Sequence, residues 1–139
     1  MSEIRDALHL AHGHLTQQVI GGFYDVYNEL GAGFVESVYT RALQIALAAR
    51  GIAAEREAPL RVRYREIVVG DFRADLLVQQ LVIVELKTCD KIQPPHERQL
   101  RNYLRASGLS VGLILNVGDT PGVKRMIWTA ERPCTETRG

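Results

Sequence analysis

GDFRADLLVQQLVIVELKTCD, residues 70–90, is the stretch that organises the chain. It reads as two strands joined at Gln79-Gln80. Side chains two apart on a strand share a face. In the first strand, residues 67–78, Asp71, Arg73 and Asp75 share one face, with Phe72, Ala74 and Leu76 opposite. In the second, Leu81, Ile83, Glu85 and Lys87 point one way and Val82, Val84 and Leu86 the other. A strand apolar on both faces belongs in the middle of a sheet. This one carries an acid and a base at one tip. Buried charges are costly unless they are paired or bind a metal. Two readings follow, a plain Glu–Lys ion pair or a metal site with a working lysine. If the hairpin closes at Gln79-Gln80, Asp75 stands near the level of residues 81–85, within reach of a shared ion.

Upstream, Leu60, Val62 and Tyr64 alternate with Arg61, Arg63 and Arg65, which is a half-buried strand with one basic face. That face is either solvated or turned to phosphates. Residues 52–59 form an extended entry to it, and Arg65-Glu66 turns the chain into the next strand without the usual turn residues. Two helices come before. The first takes Thr16 as N-cap, places Val19, Ile20, Phe23, Val26, Tyr27 and Leu30 at helical period, and ends at Gly31-Ala32-Gly33. Gly21 and Gly22 inside it imply close packing against a neighbour. The second helix spans residues 34–50. Its Glu36 lies on the stripe of Tyr39 and Leu43. A carboxylate at a helix start is favoured by the dipole, and one on an apolar stripe can also be aimed at a cation. Spacing alone leaves both open.

Downstream, residues 88–93 form a loop. Pro94-Pro95 opens a helix that Gly108 closes. Gln99 and Tyr103 share a face of it, and Arg98, Arg101 and Arg105 lie on a neighbouring one, either solvated or suited to phosphates. Residues 111–117, VGLILNV, form a buried strand, parallel to its neighbour across the helical crossover. A loop at 118–122 leads to a last strand at 123–129. The order of helix, helix, three-stranded meander, helix and two strands gives an α/β domain on a central mixed β-sheet flanked by helices. A lead-in occupies residues 1–15, the domain residues 16–129, and a polar tail residues 130–139.

The chain has 139 residues, 46% of them hydrophobic, and a net charge of +1. That is one ordinary domain with a real core and no global field to steer it to nucleic acid or membrane. No run is apolar enough to span a bilayer, and the start has no signal-peptide shape. A cytoplasmic protein is expected. Cys89 and Cys134 match no metal or redox spacing and read as free thiols. His9, His12 and His14 cluster in the lead-in, but no Cys or carboxylate completes a ligand set. No Gly-rich phosphate loop joins a strand to a helix.

Asp75 followed by Glu85-x-Lys87, with Glu36 upstream, resembles the PD-(D/E)XK nuclease superfamily and its restriction-endonuclease-like core. The similarity is nearest to the bacterial family named for its Gly-x-x-Glu-x-x-Tyr motif, matched by Gly33-Phe-Val-Glu36-Ser-Val-Tyr39. Arg73-Ala-Asp75, Val84-Glu85-Leu-Lys87, Gln99-Leu-Arg-Asn-Tyr103-Leu and the GLILNVG run at 112–118 fit the same family in order. Gln99 with Tyr103 also looks like the Gln-x-x-x-Tyr motif of RecB-like nucleases. Val117 departs from the pattern, since the family often has an aromatic there.

The resemblance implies hydrolysis of phosphodiester bonds in nucleic acid, DNA foremost, with Mg²⁺ as cofactor and Mn²⁺ as a substitute. Asp75 and Glu85 would supply carboxylate oxygens to the ion and the Leu86 carbonyl a third. Glu36 would bind directly, through water, or at a second ion. Lys87 would orient or deprotonate the attacking water or stabilise the developing charge. Gln99 and Tyr103 would position Lys87 or the nucleic-acid backbone, and Arg73, Arg98, Arg101 and Arg105 would contact phosphates. A homodimer or a protein partner would supply any sequence specificity. A non-cleaving nucleic-acid-binding module, or an interaction module in which the charges form only an ion-pair network, stays open on the sequence.

Overall fold

A computed structural model describes residues 12–130. The lead-in before His12, with His9, and the tail beyond Ala130, with Cys134, lie outside the described residues. The described elements are α1 (Gly13–Leu30), α2 (Glu36–Ala49), β1 (Ala54–Tyr64), β2 (Ile67–Val78), β3 (Val82–Lys87), α3 (Pro94–Ser107), β4 (Val111–Val117) and β5 (Pro121–Ile127). The strands form one sheet in the order β1-β2-β3-β4-β5. All neighbours are antiparallel except β3 and β4, which run parallel across the α3 crossover. This is the mixed-sheet α/β architecture that the sequence implies.

β3 is central, and every residue from Val82 to Leu86 is buried. Its even residues join Val19, Phe23, Tyr39, Leu43 and Leu47 in a core beneath α1 and α2. Its Ile83 joins Ile114, Leu100, Tyr103 and Leu104 in a second core beneath α3. Gly22 lets α1 approach α2, since a Cβ there would stand 3.2 Å from Leu47 Cδ2. That is the close packing which the paired glycines imply.

Four elements start two or more residues away from where the sequence reading puts them. Thr16 is not the cap of α1 but a fully buried residue within it, and its Oγ1 donates to the Gly13 carbonyl at 3.0 Å. The helical period extends back to Leu15, one turn before Val19 and packed on the same core, so the helix starts earlier, with His12 at the cap position. α2 starts at Glu36 rather than residue 34. Tyr39 Oη accepts from the Phe34 N–H at 3.0 Å and donates to the Gly31 carbonyl at 2.6 Å, which holds the preceding turn out of the helix. β1 takes in residues 54–59 as well, because Ala54 already pairs with Val78. β5 starts at Pro121, opposite Val117. Proline is tolerated at the first position of an edge strand.

Both turns of the β1-β2-β3 meander run through left-handed backbone at residues other than glycine. Arg65 and Glu66 have φ of 52° and 73°, and Gln79 and Gln80 have 53° and 60°. Each such residue costs about 1–2 kcal/mol, offset by the strand pairing that the turn closes.

The face assignment in β2 also needs correction. Leu76 and Val78 enter the α1/α2 core, but Ala74, two residues before Leu76, enters the α3 core. On β1 the same change falls between Ala54 and Ala58. It coincides with Glu57, whose φ is +53°. The distal half of the hairpin is thus turned over towards α3, and Asp75 sits at the pivot.

Candidate active site

The pairing of β2 with β3 runs from Val78↔Val82 to Leu76↔Val84 and stops there. The next residues in that register are Asp75 and Glu85, and their side chains take over from the ladder. Glu85 Oε2 accepts from the Asp75 N–H at 3.0 Å. Asp75 Oδ2 accepts from the Leu86 N–H at 2.7 Å. Each carboxylate thus satisfies a backbone donor where the two strands separate. Among the described residues, Asp75 Oδ1 and Glu85 Oε1 make no hydrogen bond.

The electrostatics show how tightly the acids are gathered. Glu85 is 4% exposed. Its carboxyl is pushed up to about 8, by burial first and then by the Asp75 charge, against the Asp75 N–H and Lys87. Asp75 is also raised, chiefly by burial, with Glu57 adding to the effect and the Leu86 N–H and Lys87 opposing it. Glu36 is raised by burial and by Asp75, and lowered by Lys87 and His96. Glu36, Asp75, Glu85 and Lys87 therefore act on one another electrostatically. Glu57 and His96 stand at the edge of this group, and no motif pointed to them. Glu57 carried a signal only in being opposite Asp75, which required the register of β1.

Lys87 is held from α3. Its Nζ donates to Gln99 Oε1 at 2.9 Å, and Gln99 Nε2 donates to Tyr103 Oη at 3.3 Å. Gln99 and Tyr103 meet because they are four apart on one helix. The Tyr103 hydroxyl is raised by burial and by the Glu85 and Asp75 charges. The strand neighbour of Lys87 is Asn116, 1% exposed. Asn116 Oδ1 accepts from the Cys89 N–H at 3.0 Å, and its Nδ2 donates to the Cys89 carbonyl at 2.7 Å. The start of the loop after Lys87 is thereby clamped. Gly118 belongs to the same clamp, since a Cβ there would stand 2.7 Å from the Cys89 carbonyl oxygen.

The arginines divide. Arg98 and Arg105 line a cavity of about 580 Å³ beside the acids, together with Gln99 and Tyr103. Arg101 and Arg73 do not line it. Arg73 Nη1 donates instead to the Glu57 carbonyl at 3.3 Å. Arg61 and Arg63 are exposed and alternate with Leu60 and Val62, so they lie on the face of β1 away from this cavity. Phe72, Val62 and Asn102 also line the cavity. The sequence reading gave them no role. Asn102 lies three residues from Gln99, a spacing that could have drawn notice.

The donor set suits a small, hard cation that keeps several waters. A buried carboxylate, Glu85, and a half-buried one, Asp75, stand together, each with one oxygen to spare and each with its pKa raised chiefly by burial. Among the described residues no three His, Cys, Asp or Glu side chains converge into a ligand set by themselves. Glu36 therefore does not complete a close three-carboxylate set with Asp75 and Glu85. Among the described residues, no helix is long and apolar enough to cross a membrane.

The sequence model of the PD-(D/E)XK nuclease superfamily matches residues 13–126. Among solved structures, that of SSO0001 is similar, with a TM-score of 0.54 and 18% identity over 68% of this chain. The match covers 51% of SSO0001, so the chain corresponds to about half of that protein's length. At this identity the likeness is one of fold. No curated protein matches the chain.

Proposed function

The chain belongs to the PD-(D/E)XK nuclease superfamily, and from this premise we propose that it hydrolyses phosphodiester bonds in nucleic acid with a divalent cation, Mg²⁺ or Mn²⁺. Within the superfamily, Gly33, Glu36 and Tyr39 favour the family with the Gly-x-x-Glu-x-x-Tyr motif. The observation that carries the reading is the reciprocal hold of Asp75 and Glu85 beside Lys87. A structural ion pair has no need of a buried and a half-buried acid beside one lysine, with a raised pKa on both.

Asp75 and Glu85 would hold the ion, with the Leu86 carbonyl as a further oxygen and Glu36 acting through water. A bound divalent cation supplies Lewis acidity towards the phosphate and lowers the pKa of a coordinated water. Lys87 Nζ would donate to a phosphate oxygen or hold the attacking water, and in either role it must be kept in one place. Gln99 keeps it there, and Tyr103 keeps Gln99. Arg98 and Arg105 would take flanking phosphates as charge-assisted, bidentate donors.

The test is cleavage of labelled single- and double-stranded DNA and RNA with Mg²⁺ or Mn²⁺. Wild type is compared with Asp75→Asn and Lys87→Ala. Metal-dependent cleavage lost in both variants supports the reading. An inactive wild type that binds neither metal nor nucleic acid sinks it.

A further inference from the structure

The cavity beside the acids is built unlike a phosphate groove alone. One wall is the turned-over half of the hairpin, with Val62 and Phe72, and the other is the face of α3 from Pro95 to Ala106. Phe72 is 47% exposed although it sits in a strand. Its ring lies 6.0 Å from that of Tyr103, at 40° to it. Gly70 makes room for this ring, since a Cβ there would stand 3.1 Å from Phe72 Cε2. Arg98 and Arg105 lie at the same cavity, with the amide of Asn102 between them along the helix. Aromatic ring, amide and paired guanidinium groups match the three parts of a nucleotide: π-face, base edge and phosphate.

We propose that this cavity is a subsite for one unpaired base of a nucleic-acid strand, seated against Phe72 and Tyr103, with Arg98 and Arg105 on the adjoining phosphates. The proposal rests on the nuclease reading only for what happens next to the base. A volume of about 580 Å³ is of the size that takes one small-molecule-like group, roughly 300–1,000 Å³, and a paired base keeps both faces in its own stack. A base outside the duplex offers a face to Phe72 and an edge to Asn102, as bases do in pockets that accept extruded nucleotides. Gln99 and Tyr103 belong to both the cavity and the Lys87 relay. A base seated here would therefore set the phosphate next to it against Lys87. The chain would then act on single strands, flaps or frayed ends in preference to continuous duplex.

The test is binding of a labelled single strand and of the blunt duplex of the same length, in EDTA so that nothing is cut. Wild type is compared with Phe72→Ala, Phe72→Trp and Asn102→Ala. The single strand should bind at least about tenfold more tightly than the duplex. Phe72→Ala should weaken it by about tenfold, the scale of one lost base stack, and leave duplex binding unchanged. Phe72→Trp should retain it, which separates stacking from a folding defect. Equal binding of strand and duplex by wild type, no binding of either, or equal losses in Phe72→Ala and Phe72→Trp would overturn the subsite. Strand binding through Phe72 without cleavage by wild type would remove the nuclease reading and keep the subsite. Metal-dependent cleavage that is indifferent to Phe72→Ala and to strandedness would do the reverse.

Discussion

Lys87 and Gln99 form the link between sheet and helix, with Nζ 2.9 Å from Oε1. The donor sits at the end of the central strand and the acceptor on the crossover helix, so the relative position of the two elements fixes the ammonium. Misplacement by about 1 Å can cost on the order of a hundredfold in rate. Gln99→Leu should therefore reduce cleavage by roughly tenfold to a hundredfold while calorimetry shows metal affinity close to wild type. A variant that loses metal binding as well would place Gln99 in the ion site rather than behind the lysine.

The raised acids predict a stability profile with a definite sign. Glu85 ionises at about 8 in the fold and at an ordinary 4.5 when unfolded. The native state therefore binds its proton more tightly. This contribution is fully present below about 4.5 and is lost as pH rises through about 8. Asp75 and Glu36 act in the same direction. Metal-free protein should become less stable across that window, by up to about 1.4 kcal/mol per pH unit for one proton. Urea titrations in EDTA at several pH values measure this, and Glu85→Gln should flatten the slope. A flat profile across that window would show that Glu85 is already ionised in the fold.

Metal binding should release that proton. At neutral pH, Mg²⁺ or Mn²⁺ must displace it from Glu85, so affinity should rise with pH and level off above about 8. Calorimetry in two buffers of different ionisation enthalpy should report a release approaching one proton per ion bound. Addition of EDTA should lower the Tm of the loaded protein. Identical heats in both buffers would contradict the assignment of Glu85 to the ion.

Tyr39 predicts a stability effect that reaches Glu36. Its hydroxyl holds the Gly31 carbonyl and the Phe34 N–H in the turn before α2. Tyr39→Phe should cost about 1–3 kcal/mol and speed hydrogen exchange at the Phe34 amide. An unchanged exchange rate there would show that the turn is held by packing alone.

The Asn116 clamp carries the remaining prediction. Asn116→Ala leaves the N–H and carbonyl of Cys89 without their partner, and Gly118→Ala drives a methyl into that same carbonyl. Each should destabilise the fold by about 1–3 kcal/mol in urea unfolding. The two losses should not add, because both act on one contact.

Much of this was legible because certain residues admit one reading. Pro94-Pro95 and Gly108 bracket α3 at its observed bounds, and Gly108 takes the left-handed conformation that ends it. β4 runs over VGLILNV, where no polar residue but Asn116 interrupts the apolar run. Counting around Gln79-Gln80 placed Asp75 near the level of residues 81–85, and the observed register narrows that to Glu85. The turnover of the hairpin was not legible. It depends on Glu57 adopting φ of +53°, which no residue type announces. Phe72 was assigned by alternation to the face of Leu76, and the turn at Asp75 sends it to the cavity with Tyr103 instead. The start of α1 was missed because Thr16 looks like a cap, while its hydroxyl bonds backwards along the helix to Gly13.

The Asn116 clamp also divides the 88–93 loop into two parts with different freedom. Cys89 is tied to β4 by the Asn116 side chain, whereas Asp90 and Lys91 are exposed beyond that tie. Extra residues inserted between Asp90 and Lys91 would lengthen a surface connection at small entropic cost without tugging on Lys87. That junction is where natural variants could grow new recognition elements, and where a fluorophore could be placed to report events at the lysine.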